Sequence, residues 1–206
     1  MALVNYTDLV ASIGNWLNRR DLTDQIPDFI TMAEAKLRRR LKVRDEVARV
    51  QTTISTEFTE LPDDFRSLKS IKLIVNGMDQ PFEQCSEAGI ISRRAEWGSL
   101  VGQPSYYAIV GNALEVKPAP DTSYVLEMSY YANIPALAAN ATNWLLTKHP
   151  DLYLYSSLLQ SAPFLKDDDR VQVWQSLAEG IFAEIEIDDQ RSEYGGNLRM
   201  RARSIG

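Results

Sequence analysis

The feature that most constrains this chain is the change of hydrophobic period along it. Residues 6–41 and 144–185 repeat apolar side chains every three to four positions, the spacing of a helix face. Residues 46–131 instead alternate apolar and polar positions between turn signals, the spacing of strands. Helical runs kept apart from a run of strands define an α+β fold rather than alternating βαβ units. The predicted architecture is a helical bundle built from both chain ends with a β-rich insertion of hairpins between them. Residues 1–45 and 133–192 supply the bundle, 46–132 the insertion, and 193–206 a basic C-terminal arm.

Two N-terminal helices are expected. The first carries Tyr6, Leu9, Val10, Ile13, Trp16 and Leu17, with Asn5 or Thr7 as its cap. The second carries Ile26, Phe29, Ile30, Ala33, Leu37 and Leu41, and tolerates Pro27 in its first turn, where no N–H is needed. In the middle, residues 46–55, with Val47, Val50, Thr52, Thr53 and Ile54, read as a strand, and Leu61-Pro62-Asp63-Asp64-Phe65 as a turn. Leu68 to Val75 reads as a strand closed by Asn76-Gly77, with a return strand beginning at Pro81 and Phe82. A short helix capped by Ser86 ends near Gly98. A second hairpin turns at Gly111-Asn112, and Tyr124 to Tyr131 forms a longer strand. Thr142 or Asn143 caps the return to helix. Leu152, Tyr155, Leu158, Leu159 and Ala162 face the core from one helix, which Pro163 ends. Trp174, Leu177, Ala178, Ile181 and Ile185 face it from the last, whose start carries Asp167-Asp168-Asp169.

A chain of 206 residues is long enough to bury a core without a metal or disulfide staple. The first eight residues lack a basic n-region, so no signal peptide is expected, and no run is apolar enough to span a membrane. One cysteine, Cys85, excludes an internal disulfide and fits a reducing compartment such as the cytoplasm. The net charge of −6 is uneven. Residues 34–50 hold seven cations against three acids, and residues 191–206 four arginines against one acid, which leaves −13 for the remainder. An acidic body with two basic segments suits contacts with protein surfaces better than a broad nucleic-acid-gripping face.

Catalytic motifs are few. His149 is the sole histidine and has no serine or cysteine motif beside it, and Cys85 has no basic neighbour to lower its pKa. Asp167-Asp168-Asp169 lacks the glycine and alternating ligands of a calcium loop, and Glu184 with Asp188 lacks a second, histidine-containing pair. Gly195-Gly196 lacks the Lys-Ser/Thr of a phosphate loop. No catalysis, metal or cofactor is expected. Core packing explains most of the aromatic cluster Tyr124, Tyr130, Tyr131, Trp144, Tyr153 and Tyr155, and a subunit interface would explain the surplus. The arm Leu198-Arg199-Met200-Arg201-Ala202-Arg203-Ser204-Ile205 alternates apolar with basic or polar residues, a pattern suited to adding a strand to a partner's sheet edge.

Several stretches resemble phage head-to-tail adaptor proteins. They are Thr142-Asn143-Trp144-Leu145-Leu146, Pro150-Asp151-Leu152-Tyr153-Leu154-Tyr155, Ala162-Pro163-Phe164-Leu165-Lys166-Asp167-Asp168 and Trp174. Weaker pieces are Ile30 with Ala33-Glu34-Ala35 and Leu37-Arg38, Leu61 to Phe65, and Tyr130-Tyr131. The resemblance, which extends to the tail tubular or gatekeeper proteins of short-tailed phages, implies a helical core with a β-rich insertion. It also implies a structural virion protein made in the host bacterial cytoplasm and placed at the neck. There it forms a ring, typically a dodecamer, beneath the portal protein. The ring extends the DNA channel, lets the genome pass without sequence-specific binding, and carries the tail nozzle or tail-tube protein. By position, the portal-binding arm is Leu198, Arg199, Met200, Arg201, Arg203 and Ile205. Two other readings stay open: a nucleic-acid-binding protein using residues 36–49, and a tail-associated cell-wall hydrolase, which needs a pair of opposed carboxyl groups.

Overall fold

A computed structural model describes residues 3–165 and 169–194. The chain is α+β and divides into two compact units: a helical unit from residues up to Asp45 and from Ile134 onward, and a β unit spanning Glu46–Asn133.

In the helical unit, α1 (Tyr6–Leu17) starts where the Asn5 side chain accepts a 2.9 Å hydrogen bond from the Asp8 N–H. It stops at Asn18, whose left-handed backbone (φ 51°) returns an N–H to the Gly14 carbonyl. Leu9, Ile13 and Leu17, spaced by four, are its buried face. A 3-10 segment, Arg20–Gln25, leads into α2 (Ile26–Arg40), which buries Ile26, Phe29, Ile30, Ala33, Glu34 and Leu37. Arg38, Arg39 and Arg40 close α2, where cations favour the carbonyl end of the helix dipole.

A short α3 (Glu87–Trp97) belongs to the β unit. The helical unit resumes with α4 (Trp144–Lys148), capped by Asn143, and α5 (Pro150–Gln160). α5 packs against α1, α2, α4 and the last helix, α6 (Arg170–Tyr194). It is buried on nearly every side, including Leu152, Tyr153, Leu154, Ser156, Ser157 and Leu158, as expected for a helix surrounded by others.

The β unit holds two four-stranded sheets. The first has the order β1-β8-β3-β4, with β1 (Val47–Ile54), β3 (Phe65–Val75), β4 (Met78–Gln80) and β8 (Tyr124–Ala132), all antiparallel. The second has the order β2-β7-β6-β5, with β2 (Phe58–Glu60), β5 (Glu83–Gln84), β6 (Tyr106–Val110) and β7 (Ala113–Lys117). Side chains including Ile54, Leu61, Leu73, Leu114, Val116, Leu126 and Met128 form one apolar core for this unit.

Three sequence expectations need correction. The return strand after Asn76-Gly77 is Met78–Gln80, directly after the turn and ahead of Pro81; Glu83–Gln84 instead joins the other sheet, parallel to β6. Leu177 is 42% exposed, and Phe182 takes the core position assigned to it. The aromatic cluster is divided: Tyr124, Tyr130 and Tyr131 lie in the β unit, and Trp144, Tyr153 and Tyr155 in the helical unit.

Within the β unit, the Tyr130 hydroxyl donates a 2.8 Å bond to Asp64, and the Asn133 N–H donates a 2.7 Å bond to the Asp64 carbonyl. The turn at Leu61 to Phe65 is thereby tied to the end of β8. Burial, reinforced by the Asp64 carboxylate, pushes the Tyr130 phenol up to about 12. A phenol whose pKa is higher folded than unfolded stabilises the fold fully below the unfolded value near 10. That contribution falls as pH rises from there through about 12. Tyr130→Phe is therefore expected to make the alkaline loss of stability shallower across that window, measured as denaturant midpoint against pH. Parallel curves for variant and parent would refute the Asp64 tie.

Candidate docking surfaces

The basic segment is organised more by pairing than by clustering. Arg40 makes bidentate bonds of 2.7 and 2.6 Å to Glu179 of α6, and its guanidinium lies 3.7 Å from the centre of the Phe182 ring. The Arg40 hydrogen bond holds the Glu179 carboxyl below its usual range. Arg38 lies 3.7 Å from Glu34. Arg49 is in the other unit, on β1, 3.9 Å from Glu127. Leu37, Leu41 and Val43 are core residues. The exposed cations of this segment whose side chains meet no described partner are Arg39, Lys42 and Arg44; Lys36 is exposed too, and its charge helps to hold the Glu179 carboxyl low.

Within the β unit, α3 is fixed by charge. Lys117, 3% exposed, reaches Glu57 at 2.8 Å; Arg94 lies 3.5 Å from Glu57 and also bonds Glu115; Arg93 stacks 3.8 Å from the Tyr106 ring centre. Lys117 is buried, whereas Arg94 is 46% exposed, so the pairs of Arg94 add little stability.

The residues with reactive side chains are in quiet surroundings. His149 joins α4 to α5 and shares a cleft with Asp45, Asp188, Asp189 and Ser192. The Ser192 hydroxyl donates to its own helix at Asp189, 2.8 Å away, rather than to His149, so the hydrogen bond that would activate a nucleophile is not made. Cys85 donates to the Tyr107 carbonyl at 3.3 Å, and burial pushes its thiol up, away from the reactive thiolate. Asp21, Glu127 and Glu179 have shifted carboxyls, and all three shift down, chiefly through hydrogen bonds from Arg19, Gln51 and Arg40. A general acid needs the opposite shift. Among the described residues no His, Cys, Asp or Glu cluster could hold a metal ion, and no helix is long and apolar enough to cross a membrane. Glu184 and Asp188 lie on an exposed face of α6, and Asp167 and Asp168 lie outside the described residues.

Both units expose large apolar side chains. In the helical unit, Trp16, Arg170, Val173 and Trp174 line a shallow hollow of about 550 Å³, with Trp16 edge-on to Tyr155 at 5.8 Å. Phe164 and Met32 are also exposed there, and the β unit exposes Phe58, Met78, Ile91, Leu100 and Val101. Among the described residues the exposed aromatics of this kind are Trp16, Phe58 and Phe164; the sequence pattern placed Trp16 on the apolar face of the first helix and did not mark the other two as contact residues. Trp16 lies beside a true core stripe and differs from it only by rotation around α1. The expected arm residues Leu198, Arg199, Met200, Arg201, Arg203 and Ile205 lie outside the described residues.

The helical unit and the two-sheet unit each have a packed apolar core and each expose some large apolar side chains. The family model described as SU10 adaptor protein matches residues 4–201. The chain belongs to this family of phage head-to-tail adaptors, which is structural. No curated protein sequence matches it.

Proposed function

We propose that the chain forms a closed ring, a dodecamer on the family resemblance, at the neck of the virion. One side of the ring binds the portal protein, and the other carries the tail nozzle or tail-tube protein. The genome passes through the centre without sequence-specific contact. The observation that carries this reading is the family match across residues 4–201. Exposed apolar residues on both units support it, because a ring subunit must present two different faces that meet around a closing rotation. The net charge of −6 suits a wall that DNA slides past. The arm residues Leu198 to Ile205 are proposed as the portal contact, with arginines meeting acids and Leu198, Met200 and Ile205 filling apolar pockets.

The test is the mass of the purified protein alone and with portal, before and after deletion of residues 197–206. The truncated chain is expected to stay folded and to lose portal attachment. Undiminished attachment would remove the arm from this role, and a full chain indifferent to portal would remove the adaptor reading for this partner.

A second reading has one observation in its favour: Lys36, Arg39, Lys42 and Arg44 are exposed and held in no ion pair among the described residues. Salt-steep binding of duplex DNA by the monomer would support it. Four cations give a shallower dependence than the full basic segment would.

A further inference from the structure

The β unit leaves one strand edge open and unguarded. β1 pairs with β8 from Val47↔Tyr131 to Ile54↔Tyr124 with no break in register, and it contains no proline and one charged side chain, Arg49. Among the described residues, no backbone hydrogen bond reaches β1 from any element but β8. Free edges are normally blunted by bulges, lysines or shortness. β3, whose far side is covered by β4 only at Leu73, Ile74 and Val75, shows this: the strand carries Lys69 and Lys72, and its pairing with β8 has two register irregularities. The remaining edge strands β2, β4 and β5 have three residues or fewer.

Beside this edge lies an apolar cavity of about 190 Å³. Val50 and Thr52 of β1, Leu126 and Met128 of β8, Leu114 of β7 and Leu61 line it. It lies between β1 and β2, the edge strands of the two sheets. Open backbone groups next to an apolar socket are the two elements of a strand-acceptor site: the edge supplies hydrogen bonds and the socket takes alternate side chains. Glu60, at the cavity, and Asp63, just after it in the chain, are exposed without a described partner. The β unit as a whole holds twelve acidic residues against seven basic ones. The strand that fits is therefore basic and alternately apolar.

The chain itself contains a sequence of that pattern. Leu198, Met200 and Ala202 alternate with Arg199, Arg201 and Arg203, and α6 ends at Tyr194, twelve residues before the last. Twelve extended residues reach roughly 40 Å, enough to meet another molecule. We propose that β1 and this cavity form an acceptor groove, and that in portal-free protein its occupant is the C-terminal arm of a second copy. The portal then competes for an arm that a neighbour already holds. The acceptor groove and the self-association go beyond the adaptor reading and do not depend on it; only the competition with portal rests on that reading.

The test is concentration-dependent self-association of the full chain without portal, by sedimentation at two salt concentrations. Association is expected, weaker at high salt, and at least tenfold weaker after deletion of residues 197–206 or in Glu60→Arg/Asp63→Arg. Adding Arg199→Glu, Arg201→Glu and Arg203→Glu to the latter should restore it. A full chain monomeric throughout, or association indifferent to the deletion, overturns the proposal, as does a folded charge-swapped variant that fails to recover. If the charge variants do not fold, a peptide of residues 197–206 carrying a photocrosslinker at position 200 is added to the full chain. Crosslinks to β1 support the groove; crosslinks elsewhere, or none, overturn it. Portal attachment is measured separately, so neither result decides the other.

Discussion

Trp174→Ala is expected to lower the stability of the protein by about 3–5 kcal/mol, the usual cost of truncating a buried tryptophan. Trp174 is 2% exposed and belongs to the core formed by α1, α2, α5 and α6. Its ring also receives the Arg170 guanidinium 5.4 Å from its centre, and Arg170 donates a 3.0 Å bond to the Trp16 carbonyl of α1. The truncation therefore opens a cavity and loosens the link from α6 to α1. Because the ring borders the solvent-facing hollow, water can enter, which places the effect toward the lower end of the range. Leu177→Ala is the control. At 42% exposed, Leu177 should cost no more than about 1 kcal/mol. Denaturant midpoints for the two variants check the assignment. Equal losses would mean that α6 meets its neighbours through a different face.

The second large effect concerns a buried carboxylate. Glu34, 5% exposed on α2, accepts a 2.8 Å bond from the Leu137 N–H and a 3.3 Å bond from the Tyr153 hydroxyl. Tyr153 in turn accepts 2.8 Å from the Asn143 amide, which also donates 2.8 Å to the Pro135 carbonyl. The other Asn143 side-chain atom caps α4 by accepting from the Leu146 N–H at 2.9 Å. One connected network thus holds residues 134–143 against α2 and α5. Burial is the main reason that the Tyr153 phenol is pushed well up, with the Glu34 charge adding to it, so the phenol keeps the proton it donates. Glu34→Ala strands two buried donors, for an expected loss of roughly 2–4 kcal/mol. Glu34→Gln keeps an acceptor and should lose less. Amide exchange at Leu137 should quicken in the alanine variant by the same free energy; unchanged exchange there would show that the network does not hold the loop.

The helix faces and caps were legible because they are local. The stripe from Ile26 to Leu37 and the caps Asn5, Ser86 and Asn143 each depend on residues within a turn or two. Asn76-Gly77 was legible as a hairpin for the same reason, since both residues adopt positive φ. What escaped is non-local. The parallel pairing of β5 with β6 joins segments separated by a helix, and no periodicity reports it. The face of α6 was misread at Leu177, which extends the apolar stripe beyond what its neighbours cover, whereas Ile181 is partly buried against the core. Trp174, Ala178, Phe182 and Ile185 make the narrower buried seam. In the sequence Glu34 counts only as one of three acids in the basic segment, and only the fold brings Leu137 and Tyr153 to it. The docking surfaces were legible as composition but not as position: the arm was visible in sequence, whereas the acceptor edge needs the strand order.

The division of the chain also has a consequence for synthesis. Both ends contribute to a single core, and α5, around which it closes, follows the complete β unit in the chain. A ribosome therefore releases α1 and α2 with their apolar faces uncovered, then delivers a segment able to collapse by itself, and only afterwards supplies the helix that the first two require. Nascent chains halted before Pro150 should attract chaperones through their N-terminal helices, while those halted after Tyr194 should not.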